Sequence, residues 1–219
     1  MSSSFIWIIM IAVMVASMII QARLQNRFAK YSEVPTSLSG AEVAQRMLQA
    51  HGIYDVNIVS VEGTLTDHYN PQTKTVNLSH DVYYGRSVAA HECGHVVQHA
   101  TGYAPLKLRT AMVPVLTFTN NWISWVLLAG LILYEAFPSL LWIAIGMFAL
   151  STLFSFVTLP VEVNASARAV QWLDNAGVVS YETKPMAQDA LKWAAYTYVI
   201  AAIGSLATLL YYISIARRR

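Results

Sequence analysis

Four stretches of this 219-residue chain contain no Asp, Glu, Lys or Arg: residues 5–20, 111–134, 136–161 and 193–216. A helix that crosses the hydrocarbon of a bilayer needs roughly 17–25 residues, so the last three qualify by length alone. The first has 16 residues, and the uncharged Ser2–Ser4 brings it to a workable length. A signal peptide is the competing reading of that segment, but it has no positively charged n-region, which favours an uncleaved anchor. Only 12% of the chain is charged, against roughly 25% in soluble domains. Because the deficit is concentrated in the four runs, it indicates membrane spans rather than an unusually apolar soluble core. Trp7, Trp122, Trp125, Trp142 and Trp193 lie in or beside these runs, as interfacial anchoring favours.

The polar material falls mainly at 21–109 and 162–192. Ser39-Gly-Ala-Glu42 reads as a capping box. Val43, Met47 and Ala50 follow at helical spacing, and Gly52 ends the run. Alternation over 56–61 predicts a short strand. Residues 64–69 and 74–79 flank the turn signal Asn70-Pro71-Gln72-Thr73, which predicts a hairpin. A helix is expected from about Val82 to Gly102, capped by Ser79 or Asp81. Pro160 stands near the end of a span, whose helix should continue to Ala176 and stop at Gly177. Thr183 can cap the last helix, with Pro185 tolerated in its first turn. The expected fold is therefore a mainly α membrane protein, with four transmembrane helices and a small α+β region. Its segments are an N-terminal anchor (1–22), a polar α+β region (23–110) and a transmembrane hairpin (111–161). A connector helix (162–192) and a C-terminal transmembrane helix (193–219) complete it. The net charge is only +2, and no basic run is interleaved with aromatics, so nucleic acid is not an expected partner. Cys93 is the single cysteine, which rules out an internal disulfide.

The sharpest chemical signal is His91-Glu92-Cys93-Gly94-His95. Residues four apart share a helix face, so both imidazoles can meet one metal ion. Glu92 between them can take a proton from metal-bound water. The bland reading is two surface histidines around an unrelated glutamate. His99, four residues past His95, does not complete the set and reads instead as a histidine behind the ligands or at the surface. Eight residues of helix put it about 12 Å from His91, whereas Zn–N bonds are about 2.0–2.1 Å. Nor does a metzincin pattern apply, because Gln98 stands where that pattern has glycine. Glu162 is the better third ligand. It follows a hairpin of two spans, so the chain has crossed and returned to the side of His91 and His95. A carboxylate at a span end is costly unless paired, solvated or metal-bound. Its competing reading is an interfacial acid paired with Arg168. A His₂Glu set leaves one open position, as catalytic zinc requires.

Longer blocks carry a resemblance. Phe28-Ala-Lys-Tyr-Ser32, Gly52-Ile-Tyr-Asp-Val56, Gly63-Thr-Leu-Thr-Asp-His-Tyr-Asn-Pro71 and Val82-Tyr-Tyr-Gly85 are four of them. With the His91–His95 motif and Leu159-Pro-Val-Glu-Val-Asn-Ala-Ser-Ala-Arg-Ala169, they make the chain similar to the YugP-like membrane zinc metallopeptidases. That resemblance implies a four-span gluzincin-like protease with one zinc on His91, His95 and Glu162, and with Glu92 catalytic. Glu162-x-x-Ala165-Ser166-x-x-Ala169 also looks like the third-ligand helix of heat-shock and CAAX-processing membrane proteases. Those carry aspartate where this chain has Ser166, so serine would supply any bond to a ligand there. Family members usually have about five more residues before the zinc motif, more than one helical turn. The short Arg86-Ser-Val-Ala-Ala90 is therefore expected to shift the motif helix against the hairpin.

These readings describe a peptidase acting on a peptide or membrane-protein substrate, in a bacterial cell membrane. His68, His80, Tyr83 and Arg168 are candidates to steady the oxyanion, and an ordinary structural role is as good a reading of each. The edge of the 74–79 strand is a candidate for holding substrate as an added strand. A zinc site hidden within the bilayer would sit in a long apolar run, whereas Asp81, Arg86, Gln98 and His99 surround this motif. A non-catalytic zinc scaffold would have little use for Glu92, and a transporter would line its spans with histidines and acids. Near the span ends, the zinc side carries Arg23, Arg27, Lys30, Lys107, Arg109, Arg168, Lys184 and Lys192. The other side carries only Arg217, Arg218 and Arg219, so the positive-inside bias predicts a cytoplasmic site.

Overall fold

A computed structural model describes residues 3–32, 38–63, 66–84 and 89–217. In chain order its elements are α1 (Ser3–Ser32), α2 (Gly40–Ala50), β1 (Asn57–Val61), β2 (His68–Asn70) and β3 (Thr75–Ser79). Then come α3 (His80–Tyr83), α4 (Ala89–Ala100), α5 (Ala104–Ile132), α6 (Pro138–Asn175) and α7 (Lys184–Ala216). Helices α1, α5, α6 and α7 are long and apolar enough to cross a membrane. All four begin or end well beyond the charge-free runs, since α1 continues to Ser32, α5 starts at Ala104, α6 continues to Asn175 and α7 starts at Lys184.

The chain divides into two compact units, each built from separated stretches. The first comprises Met1–Gln21, Leu108–Leu159 and Tyr196–Arg219. Within it, Tyr134 donates its hydroxyl to the Ala216 carbonyl at 3.3 Å, and Thr152 donates to the Ser205 carbonyl at 3.3 Å. The Trp7 ring meets Tyr211 edge-on. Trp7, Trp122, Trp125 and Trp142 are exposed, which suits side chains that face lipid or its interface.

The second unit comprises Ala22–Lys107 and Pro160–Ala195. The capping box forms as predicted: Glu42 N–H donates to Ser39 Oγ, and Ser39 N–H donates back to Glu42 Oε2. Val43, Ala44, Met47 and Leu48 point from α2 into a core shared with Val76, Leu78, Val82, Val96 and Val97. The predicted hairpin is present, with β2 pairing antiparallel to β3, and β1 pairs parallel to β3 along its whole length. Consequently β3 is the central strand of a β1-β3-β2 sheet. The expectation that the 74–79 edge holds substrate is thereby corrected for Thr75–Asn77, where β1 and β2 already pair with both sides of the strand.

A second correction concerns the helix expected over 82–102. Two helices occupy it, the single turn α3 and the motif helix α4. Ser79 does not cap through its side chain. It is the last residue of β3, and its N–H and hydroxyl both donate to Asp67. Residues 64–65 of the predicted hairpin and 86–88 of the shortened segment lie outside the described residues. At the far end, α6 runs through Pro160 and stops where predicted. Gly177 takes φ 64°, and Val178 N–H reaches back to the Leu173 carbonyl, closing the helix as a left-handed terminator does.

Candidate metal centre

The site lies within the second unit, where α4 meets the Pro160–Asn175 part of α6. Ala89 through Gln98 are all buried, and the small residues on α4 let it be packed on more than one side. Cys93 directs its thiol at the Ala44 carbonyl of α2, 3.7 Å away, and burial pushes that thiol's pKa well up. Such a cysteine is a packing residue, not a reactive thiolate. On the other side, a Cβ added at Gly94 would stand 2.5 Å from the Ala165 carbonyl oxygen. Only glycine permits this close crossing, and the crossing sets the spacing between the α4 histidines and Glu162.

His91 Nε2 lies 3.2 Å from Glu162 Oε2, and His95 Nε2 lies 3.4 Å from the same oxygen. All three side chains are buried, Glu162 to 2% exposure. Their donor atoms fall within 4.8 Å of one another, forming a group that could hold a metal ion. With bonds of about 2.0–2.1 Å, tetrahedral zinc sets its ligand atoms about 3.3 Å apart. The two separations therefore fit that ion. Electrostatics agree. Burial opposes charge on His95, yet hydrogen bonding and attraction from Glu162, with Glu92 adding to the field, outweigh it and raise its pKa.

The nitrogens facing away from Glu162 are also engaged. His91 Nδ1 is 3.1 Å from Ser166 Oγ, the contact expected of that serine, and His95 Nδ1 is 3.0 Å from Gln98 Oε1. Glu92 is 8% exposed, and no hydrogen bond to its carboxylate is found among the described residues.

The other sequence candidates stand apart from this three-donor group. The His99 ring packs against Tyr69, whose hydroxyl is 3.1 Å from Nδ1. Arg168 donates through Nε to Asn164 Oδ1 at 2.8 Å. His68 is held by the Thr66 carbonyl, His80 lies beside Asp81 and Tyr84, and Tyr83 packs edge-on against Tyr84. Sequence reasoning missed Gln98 and Asn164 as members of the centre. One signal was available: Gln98 follows His95 by three residues, on the same helix face, and a buried amide needs partners.

The family described as "Putative neutral zinc metallopeptidase" matches residues 6–217. The chain belongs to this family. It is also 41% identical over 202 residues, covering 89% of each chain, to the "Putative membrane protease YugP" of Bacillus subtilis (strain 168). No solved structure matches. The family match and the buried His-His-Glu group thus point to the same metal, and the resemblance read from the sequence blocks is upheld.

Proposed function

We propose that this protein is a membrane-embedded zinc endopeptidase of gluzincin-like architecture, holding one zinc ion per chain on His91, His95 and Glu162. The observation that carries the reading is the convergence of both Nε2 atoms on one Glu162 oxygen at 3.2 and 3.4 Å. When bound, zinc supplies Lewis acidity, which polarises a peptide carbonyl and makes water a nucleophile near neutral pH. The chain's own residues do the rest. Glu92, adjacent to His91 and with no competing hydrogen bond among the described residues, accepts the proton from the attacking water. It then returns that proton to the leaving amine. Ser166 and Gln98 hold the outer nitrogens of the two imidazoles, which limits ring rotation. The substrate is a peptide or a segment of another membrane protein. The setting is a bacterial cell membrane, with the site on the cytoplasmic side.

Glu92→Gln tests the catalytic part. Zinc content is expected to stay near one per chain, while peptide hydrolysis falls by at least ~10²–10⁴-fold, the effect of losing a positioned base. Metal analysis and turnover are measured on the same preparation. Unchanged turnover would remove Glu92 from the mechanism. Zinc binding with no hydrolysis by the unsubstituted protein, across a broad peptide library, would favour a non-catalytic zinc scaffold instead.

A further inference from the structure

Gln98 is fully buried, and every polar atom of its side chain is engaged. Its Nε2 lies 2.7 Å from the Val161 carbonyl oxygen and 3.0 Å from Asn164 Oδ1. Its Oε1 lies 3.0 Å from His95 Nδ1. An amide's oxygen and nitrogen are told apart by their partners, and here the partners decide. A backbone carbonyl only accepts, so the NH₂ group must face Val161. The second acceptor is fixed independently. Arg168 Nε, which only donates, holds Asn164 through Oδ1 at 2.8 Å, leaving that oxygen to receive the other Gln98 proton. With both donors committed, Oε1 faces His95, and because it only accepts, His95 Nδ1 must carry the proton. In the neutral form that a metal ligand requires, an imidazole has one N–H, so with Nδ1 protonated its lone pair sits on Nε2, the atom that faces Glu162.

We infer that Gln98 is a positioning residue that sets the tautomer of His95 and so presents Nε2 to the metal, an inference that rests on the proposed zinc site. The chain Arg168–Asn164–Gln98–His95 runs from α6 to α4 and orients a ligand before the ion arrives. It also gives Arg168 a role other than oxyanion donor. His91 has no such device. Its Nδ1 meets Ser166 Oγ, and a hydroxyl can donate or accept, so Ser166 steadies that ring without dictating its tautomer.

The test uses the full-length protein in detergent, with zinc alone as the probe, titrated in competition with a chromophoric chelator. Gln98→Met keeps the bulk and removes all three bonds, and zinc affinity is expected to fall roughly 10–100-fold, as for other partners of ligand histidines. Gln98→Glu retains an acceptor for His95 in either protonation state but weakens the bonds to Val161 and Asn164. It is expected to lower thermal stability while binding zinc more tightly than Gln98→Met. In the zinc-loaded unsubstituted protein, the His95 Nδ1–H should give a downfield, slowly exchanging proton signal, assigned by its loss in His95→Ala. Wild-type affinity in Gln98→Met overturns the inference, as does equal loss in Gln98→Met and Gln98→Glu, which would reduce Gln98 to a tie between helices. Should Gln98→Met not fold, absence of the protected Nδ1–H in the unsubstituted protein overturns it. Failure of the unsubstituted protein to bind zinc at all would instead defeat the metal reading beneath it.

Discussion

At the scale of single residues, the chain's chemistry depends on which donors can reach one point. His91 and His95 were legible from spacing alone, because four residues of helix stack side chains on one face. Glu162 was legible only through topology and resemblance, since nothing local marks a glutamate as a ligand. What the sequence could not convey was the web behind the ligands. Gln98 looked like a break in a metzincin pattern, yet its side chain joins His95 to Val161 and Asn164. Side-chain partners that come from two helices have no periodic signature. The ligand assignment yields a paired prediction. Glu162→Ala is expected to lose zinc, because it removes the oxygen facing both Nε2 atoms. His99→Ala is expected to keep it, because His99 pairs with Tyr69. Metal analysis of the two purified variants decides between them, and the opposite pattern would make His99 the ligand.

At the scale of elements, most of the second unit was readable because its signals are local. A capping box, a turn between alternating runs and a glycine terminator each act within a few residues. The sheet order was not readable, since β1 pairs with β3 across the intervening β2, and parallel pairing leaves no turn signature. Nor was the break between α3 and α4. The crossing of α4 on α6 gives the prediction at this scale. Gly94→Ala forces a Cβ to within 2.5 Å of the Ala165 carbonyl oxygen, so one backbone must move. Overpacking of this kind costs typically 1–3 kcal/mol, and the displaced histidines should bind zinc more weakly. Gly146→Ala is the control, since nothing lies within 4 Å of its added Cβ. Thermal unfolding and zinc titration of both variants test the argument. A Gly94→Ala protein with unchanged stability and affinity would show that the close crossing is not what sets the site.

At the scale of the whole molecule, four apolar helices fix how the polar parts can be distributed. With an even number of crossings, both termini share one side, and the polar regions at 21–109 and 162–192 share the other. If all four helices cross, that arithmetic puts His91, His95 and Glu162 on a common side, as their proximity needs. It does not say which side. Eight basic residues near span ends accompany the zinc side, from Arg23 to Lys192, against Arg217–Arg219 on the other. Positive charge near span ends is retained in the cytoplasm, so a cytoplasmic zinc site is the expected outcome. The three terminal arginines pull the other way, and added C-terminal charge is able to invert a topology, which makes direct measurement necessary. Cysteines introduced singly at Asn70, the last residue of β2, and at Ser139, in the first turn of α6, report the two sides. Cys93 is buried and should stay silent toward a membrane-impermeant thiol reagent. In intact cells, position 139 is expected to label and position 70 to be protected until the membrane is opened. Labelling at 70 with protection at 139 would place the zinc centre outside the cytoplasm, and any substrate would then have to be sought among exported segments instead.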